Sequence, residues 1–124
     1  MNPIFVYGIL KHQYANAQSA RVHNFRLIDM GCFPAAIPHN KGAIIGELIF
    51  VDDDTVADFD RIEGHPNFYV RTDVEVETGD GDSVELVKAQ MYVVNGSYHE
   101  RPSQPTGALT IKEVDNETTY EYHA

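Results

Sequence analysis

The chain has 124 residues, of which 43% are hydrophobic and 23% charged, and its formal net charge is −10. That length and composition predict one soluble domain, residues 1–124, with a core large enough to need no staples. The acidic balance and the lack of any basic run argue against nucleic acid or an anionic membrane surface as partner, since both need a positive patch. Cys32 is the single cysteine, so no internal disulfide can form, and it reads as a small core residue. Apolar runs are only a few residues long and no basic-then-apolar segment opens the chain, so no membrane span or signal peptide is expected and the expected location is the cytoplasm.

Pro3 to Tyr7 is β-branched and aromatic and predicts a buried strand. Gly8 follows, then Ile9, Leu10 and Lys11. A glycine there lets the backbone turn and offer successive N–H groups to an anion. Tyr14 to Ala20 predicts a short helix or turn, in which Asn16 is a turn residue or, less simply, faces a site. Arg21 to Phe33 predicts a strand whose alternation slips near Asn24, the mark of a bulge. Phe33 to Pro38 is bracketed by prolines and predicts an edge strand or tight extended segment.

Gly42 to Val51 is the strongest strand pattern, apolar enough for burial on both faces, with Gly46 as a point of close backbone approach. Glu47 interrupts it, either as a paired structural acid or as a second functional carboxylate. Asp52-Asp53-Asp54 lacks the alternating ligand spacing of a hard-cation loop, so no metal is expected. The run suits a helix N-terminus instead, with Asp54 or Thr55 as the cap and Thr55 and Asp58 as a capping box.

In the following helix Val56, Phe59 and Ile62 recur three apart, the spacing of an apolar face. At ~100° per residue Glu63 falls on that same face, between Val56 and Phe59. Gly64 tolerates the left-handed conformation that ends a helix, and Pro66 blocks continuation. Glu63 is thus expected in the last turn, facing inward, where burial and the helix dipole both raise a carboxyl pKa. Such a carboxylate suits proton transfer, or it is structural and paired with Arg61 or Arg71.

Asn67 to Thr78 alternates, with Phe68, Val70, Thr72, Val74 and Val76 on one face and Tyr69 and Arg71 on the other. Gly79-Asp80-Gly81-Asp82 predicts a hairpin turn, and Ser83 to Val94 the returning strand. Asn95 to Thr106 reads as a loop. Ala108 to Val114 is a possible last strand, and the acidic segment 115–124 is expected to be a flexible tail. The count is about six strands with one or two flanking helices, an α+β chain whose glycines and bulges suit a small mixed β-barrel.

Tyr7-Gly8-Ile9-Leu10 at the end of the first strand, and Phe59-Asp60-Arg61-Ile62-Glu63-Gly64 followed by Pro66, Tyr69 and Arg71, resemble two signatures of the γ-glutamylcyclotransferase-like superfamily, also called AIG2-like. Gly46-Glu47-Leu48-Ile49 and Phe33-Pro34 match further family segments, and the similarity runs in order from about residue 3 to 94. The resemblance implies a small barrel with a cavity at its mouth. It also implies that the backbone of Tyr7, Gly8, Ile9 and Leu10 holds the α-carboxylate of a γ-glutamyl substrate. Glu63 is then the catalytic acid/base, and Tyr69 a substrate hydrogen-bonding residue or a packed strand tyrosine. Tyr92 and Tyr98 are weaker candidates of that kind.

The implied reaction is attack of the substrate α-amine on its own γ-carbonyl, which releases 5-oxoproline and an amine and needs no cofactor and no Ser or Cys nucleophile. Ile9 stands where many members have Thr or Ser, so a hydroxyl contact is lost there. A non-catalytic binding module for a small molecule or protein on the same fold is the alternative, and hydrolysis or acyl transfer at the same site a third.

Overall fold

A computed structural model describes residues 1–8, 10–30, 34–79, 81–95 and 109–123. Strand β1 (Asn2–Val6) is followed by β2 (Gln18–Asp29), β3 (Pro34–Val51), helix α1 (Asp53–Glu63), β4 (Tyr69–Thr78), β5 (Glu85–Val94), β6 (Leu109–Val114) and β7 (Glu117–Tyr122). A short 3-10 turn over Gly81–Ser83 leads into β5.

The strands form one mixed sheet in the order β1-β5-β4-β2-β3-β7-β6, and β1 also pairs with β3. The first five therefore follow one another around a ring. Long β3 makes this possible. Its residues Glu47 to Val51 pair with β1, Gly42 to Ile45 pair in parallel with β7, and β2 runs antiparallel to much of its length. Asn24, at φ 69°, carries the bulge that interrupts the β2–β3 register between His23 and Phe25. The β4–β5 hairpin pairs without slippage from Tyr69↔Val94 to Thr78↔Glu85.

Alternation on β1 divides the core in two. Phe5 points into the ring with Leu27, Ile44, Leu48 and Met91. Ile4 and Val6 point the other way, to a second cluster that takes in Ile49, Val56, Phe59, Tyr69 and Tyr92. Helix α1 covers this second face through Val56 and Phe59, both buried. β1 fits tightly against β3 because Gly46 has no side chain: a Cβ there would lie 2.4 Å from the Val6 carbonyl oxygen.

Several expectations need correction. The segment expected over Phe33 to Pro38 is, from Pro34 onward, the start of β3, paired with β2, rather than a separate edge strand, and Phe33 lies outside the described residues. Of the short helix or turn expected over Tyr14 to Ala20, the structure has the turn, around residues 15 and 16, and β2 already begins at Gln18. The N-cap of α1 is Asp52, whose Oδ1 accepts from the Thr55 amide at 2.8 Å, and not Asp54 or Thr55. Ile62, placed by its spacing on the buried face, is 69% exposed. The acidic segment after Val114 forms β7 in place of a frayed end, with Thr119 and Tyr120 buried. Its Thr and Tyr residues favour extended backbone, and the vacant edge of β3 beside β1 supplies the partner.

Candidate active site

β1 ends in the turn that forms one wall of a cavity of about 330 Å³. The Lys11 amide donates to the Gly8 carbonyl at 3.0 Å, which folds residues 8–11 over. Among the described residues, no hydrogen bond takes up the amide of Gly8 or Leu10. Gly8 is needed here for closeness rather than for an unusual φ, because a Cβ would meet Pro34 Cγ at 3.3 Å. Four hydrogen bonds hold the turn. The Tyr7 hydroxyl donates to the Tyr92 carbonyl at 2.7 Å and accepts from the Ala36 amide at 3.2 Å. Buried Lys11 reaches β7, donating from Nζ to the Tyr122 carbonyl at 2.8 Å. The His12 amide donates to Glu47 Oε1 at 2.6 Å, so Glu47 is a paired acid.

The opposite wall is the end of α1. Gly64, at φ 69°, is its left-handed C-cap. The His65 amide returns to the Asp60 carbonyl at 2.8 Å, and the Gly64 carbonyl accepts from Asn67 and Phe68. This geometry fixes Glu63, the last helical residue, on the cavity wall. Its carboxyl is half-buried, and that burial raises its pKa above the ordinary value. Neither arginine proposed from the sequence neutralises it. Arg61 pairs with Asp58, and Arg71 Nε lies 3.3 Å from Asp60 Oδ1. Among the described residues Glu63 has no hydrogen-bonded or ion-pair partner, so its basicity remains available.

Tyr7, Tyr69 and Tyr92 also line the cavity, and each hydroxyl proton is committed elsewhere. Tyr69 donates to the Pro34 carbonyl at 2.8 Å, and Tyr92 to Asp60 Oδ1 at 2.7 Å. Burial raises all three phenol pKa values well above 10, so the rings stay neutral at physiological pH. They shape the wall more than they offer free donors. Of the residues expected at a site, Tyr7, Gly8, Leu10, Glu63 and Tyr69 converge on this cavity. Ile9, Cys32 and Tyr98 lie outside the described residues, and Asn16 is exposed in a turn.

Sequence reasoning missed Pro34, Ile62 and Phe68 as lining residues, and Asp60 and Lys11 as supports. Asp60 and Ile62 lie inside the Phe59–Gly64 signature, so proximity to Glu63 was the available signal. Nothing local announced where Lys11 would go.

The family model described as gamma-glutamyl cyclotransferase, AIG2-like, matches residues 4–113. The chain is similar to the gamma-glutamylcyclotransferase family protein YtfP of Escherichia coli strain K12, at 29% identity over 85 residues, covering 61% of this chain and 74% of that protein. A protein of the same name from Citrobacter rodentium is 28% identical over 122 residues, 91% of this chain and 92% of the relative. Among solved structures, an AIG2-like protein from Mus musculus superposes with a TM-score of 0.65 at 25% identity, covering 80% of each chain. The solution structure of At5g39720.1 from Arabidopsis thaliana gives 0.65 at 22% identity, covering 79% of this chain and 71% of that one. The fold is thus that of the AIG2-like proteins, and the chain belongs to the AIG2-like gamma-glutamyl cyclotransferase family.

Proposed function

We propose that the protein releases 5-oxoproline from a γ-glutamyl amine or γ-glutamyl amino acid, with Glu63 as general base and then general acid. The observation that carries this reading is a half-buried carboxylate, unpaired among the described residues, lining the same small cavity as the turn after β1. The amides of Gly8 and Leu10 suit the substrate α-carboxylate, by charge-assisted hydrogen bonds. Glu63 takes a proton from the α-ammonium. The freed amine attacks the γ-carbonyl carbon and the ring C–N bond forms. The ring nitrogen then gives up its second proton and the old amide C–N bond breaks. The two protons go by way of Glu63 to the departing nitrogen, which leaves as an ammonium.

The nucleophile belongs to the substrate, so the protein's part is to hold the chain bent and to move the proton. Positioning of that kind contributes ~7–11 kcal/mol in well-oriented intramolecular reactions. Proton transfer by a placed side chain adds roughly 10²–10⁴-fold. The test is mass-spectrometric detection of 5-oxoproline from a panel of γ-glutamyl amines and dipeptides, with Glu63→Gln beside the wild type. Product from the wild type and not from the variant is the expected result. Equal product from both removes Glu63 from its role, and free glutamate in place of 5-oxoproline makes the reaction hydrolysis.

A further inference from the structure

β4 covers one edge of β5 from Glu85 to Val94. The other edge is covered only towards its end, by Ile4 of β1 beside Gln90 and Ala36 of β3 beside Val93. Pairing with β1 stops there for a local reason. Pro3, the next residue back, has no N–H with which to continue the ladder, and both it and Asn2 pair with β3. The Asn2 side chain also turns away, its Nδ2 donating to the Val51 carbonyl and to Asp53. Alternate residues between Glu85 and Ala89 therefore direct N–H and C=O groups outward, and among the described residues no strand pairs with them on that side. We propose that this edge of β5 receives, as an added strand, an extended segment of another protein that carries apolar and basic side chains.

The side chains beside the edge favour such an occupant. Leu86 is 65% exposed, and Val84 two residues before it is exposed as well. Edges are usually blunted by charge or proline. Lys88 is a charge of that kind, but it stands opposite Glu75 and leaves Leu86 uncovered. A groove of about 650 Å³ lies at the same seam, with Asn2 and Pro3 on one side and Asp73, Glu75, Lys88 and Gln90 on the other. It gives side chains of an added strand a place to lie.

Charge decides between occupants. Exposed Asp73 and Glu75 share the groove with one ammonium, that of Lys88, and exposed Glu85 opens the strand. A second copy would bring the same carboxylates and a further net charge of −10, and like charge opposes that pairing. Lysine or arginine side chains complement it. In strand addition the backbone supplies affinity and alternate side chains supply preference. The cavity lies at the other end of these strands, beside Val6 and Tyr92, so the occupant leaves it open.

The test is an NMR titration of the isotope-labelled full chain with the peptide acetyl-Lys-Thr-Val-Thr-Lys-Thr-Val-amide. Two control peptides carry glutamate in place of both lysines, or proline at the third and fourth residues. The expected shifts concentrate on the amides of Leu86 to Ala89, whose hydrogen exchange slows. Affinity falls roughly 10-fold or more for the acidic peptide, is lost with proline and weakens as salt rises. Glu75→Lys and Leu86→Lys each weaken binding of the basic peptide. Both positions are exposed, and an unchanged spectrum elsewhere shows that the variant is folded.

No response at these amides in millimolar basic peptide overturns the docking edge. So does equal binding of the acidic peptide, or binding that survives both prolines. Sedimentation of the chain alone completes the test: self-association abolished by Leu86→Lys would make the occupant a second copy and overturn the basic partner.

Discussion

The Tyr92 hydroxyl donates to Asp60 Oδ1 at 2.7 Å, fastening the end of β5 to α1 three residues before Glu63. Arg71 approaches the same oxygen, with Nε at 3.3 Å. Tyr92→Phe removes the donor and leaves the ring. A hydrogen bond to a charged acceptor contributes ~1.5–3 kcal/mol, and partial exposure of Asp60 puts the expected loss at the lower end. Urea unfolding of Tyr92→Phe, Asp60→Asn and the double variant checks this. The two single losses should fail to add, which is the mark of a direct contact.

Burial raises the Glu63 pKa, and activity and stability respond in opposite senses. As a base Glu63 works ionised, so the rate falls as pH drops through its raised pKa, and this acid limb lies above the ordinary carboxylate range. Glu63→Gln lowers turnover by roughly 10²–10⁴-fold and abolishes that limb. In the fold the raised pKa favours the protonated form, so stability falls as pH rises from the unfolded value through the folded one. Glu63→Gln should therefore melt higher than wild type at neutral pH. The difference should close below about pH 4, where both states of the wild type are protonated. Melting curves at three pH values decide it.

His23 stands between two carboxylates, Nδ1 at 2.5 Å from Glu117 and Nε2 at 3.1 Å from Glu77. Desolvation lowers its pKa, but the hydrogen bonds to Glu117 and Glu77 outweigh it and the net direction is upward. The contribution is full below the unfolded value of about 6.5 and is lost as pH rises through the folded one. At this exposed site the expected size is ~0.2–1 kcal/mol. The urea midpoint of wild type should drop between pH 6 and pH 9 by more than that of His23→Gln.

Lys11→Met keeps the stem and deletes the ammonium. The Tyr122 carbonyl loses its 2.8 Å donor, at a cost of about 1–3 kcal/mol. The turn that carries Gly8 and Leu10 loosens, so KM should rise by a larger factor than kcat falls. Steady-state kinetics on any accepted substrate reads the split.

Gly46→Ala drives a methyl group to 2.4 Å from the Val6 carbonyl oxygen and 2.8 Å from Phe5 Cζ. The first of these is backbone and cannot swing away, so β1 must shift. Overpacking costs ~1–3 kcal/mol. Because β1 leads directly into the cavity wall, this variant should lose substrate affinity along with thermal stability, visible in parallel melting and KM measurements.

What the sequence made legible is local. Gly64 ends α1 because a glycine takes φ 69° with no Cβ to oppose it, and with Pro66 two residues on that stop is readable from the chain. Gly46, the slip at Asn24 and the β4–β5 hairpin are of the same kind. The cap moved from Asp54 or Thr55 to Asp52 because three consecutive aspartates offer equivalent oxygens. Ile62 misled because helical spacing says which residues share a face, not whether core or cavity lies opposite. β7 was hidden by its charge: Glu117 and Glu121 read as solvated tail, while its partner on β3 lies more than 70 residues upstream. The tyrosine hydroxyls at the site point to acceptors 32 to 85 positions away, which no local pattern carries.

The Lys11 ammonium meets the Tyr122 carbonyl 111 positions along the chain. During vectorial synthesis the cavity turn therefore emerges 111 residues before the carbonyl that accepts from its buried charge. Contacts this distant form late and slowly. A nascent chain that has completed β1 to β5 has the helix and Glu63 but not yet the brace for the wall that faces it, so ligand competence should mature after the bulk of the fold has formed.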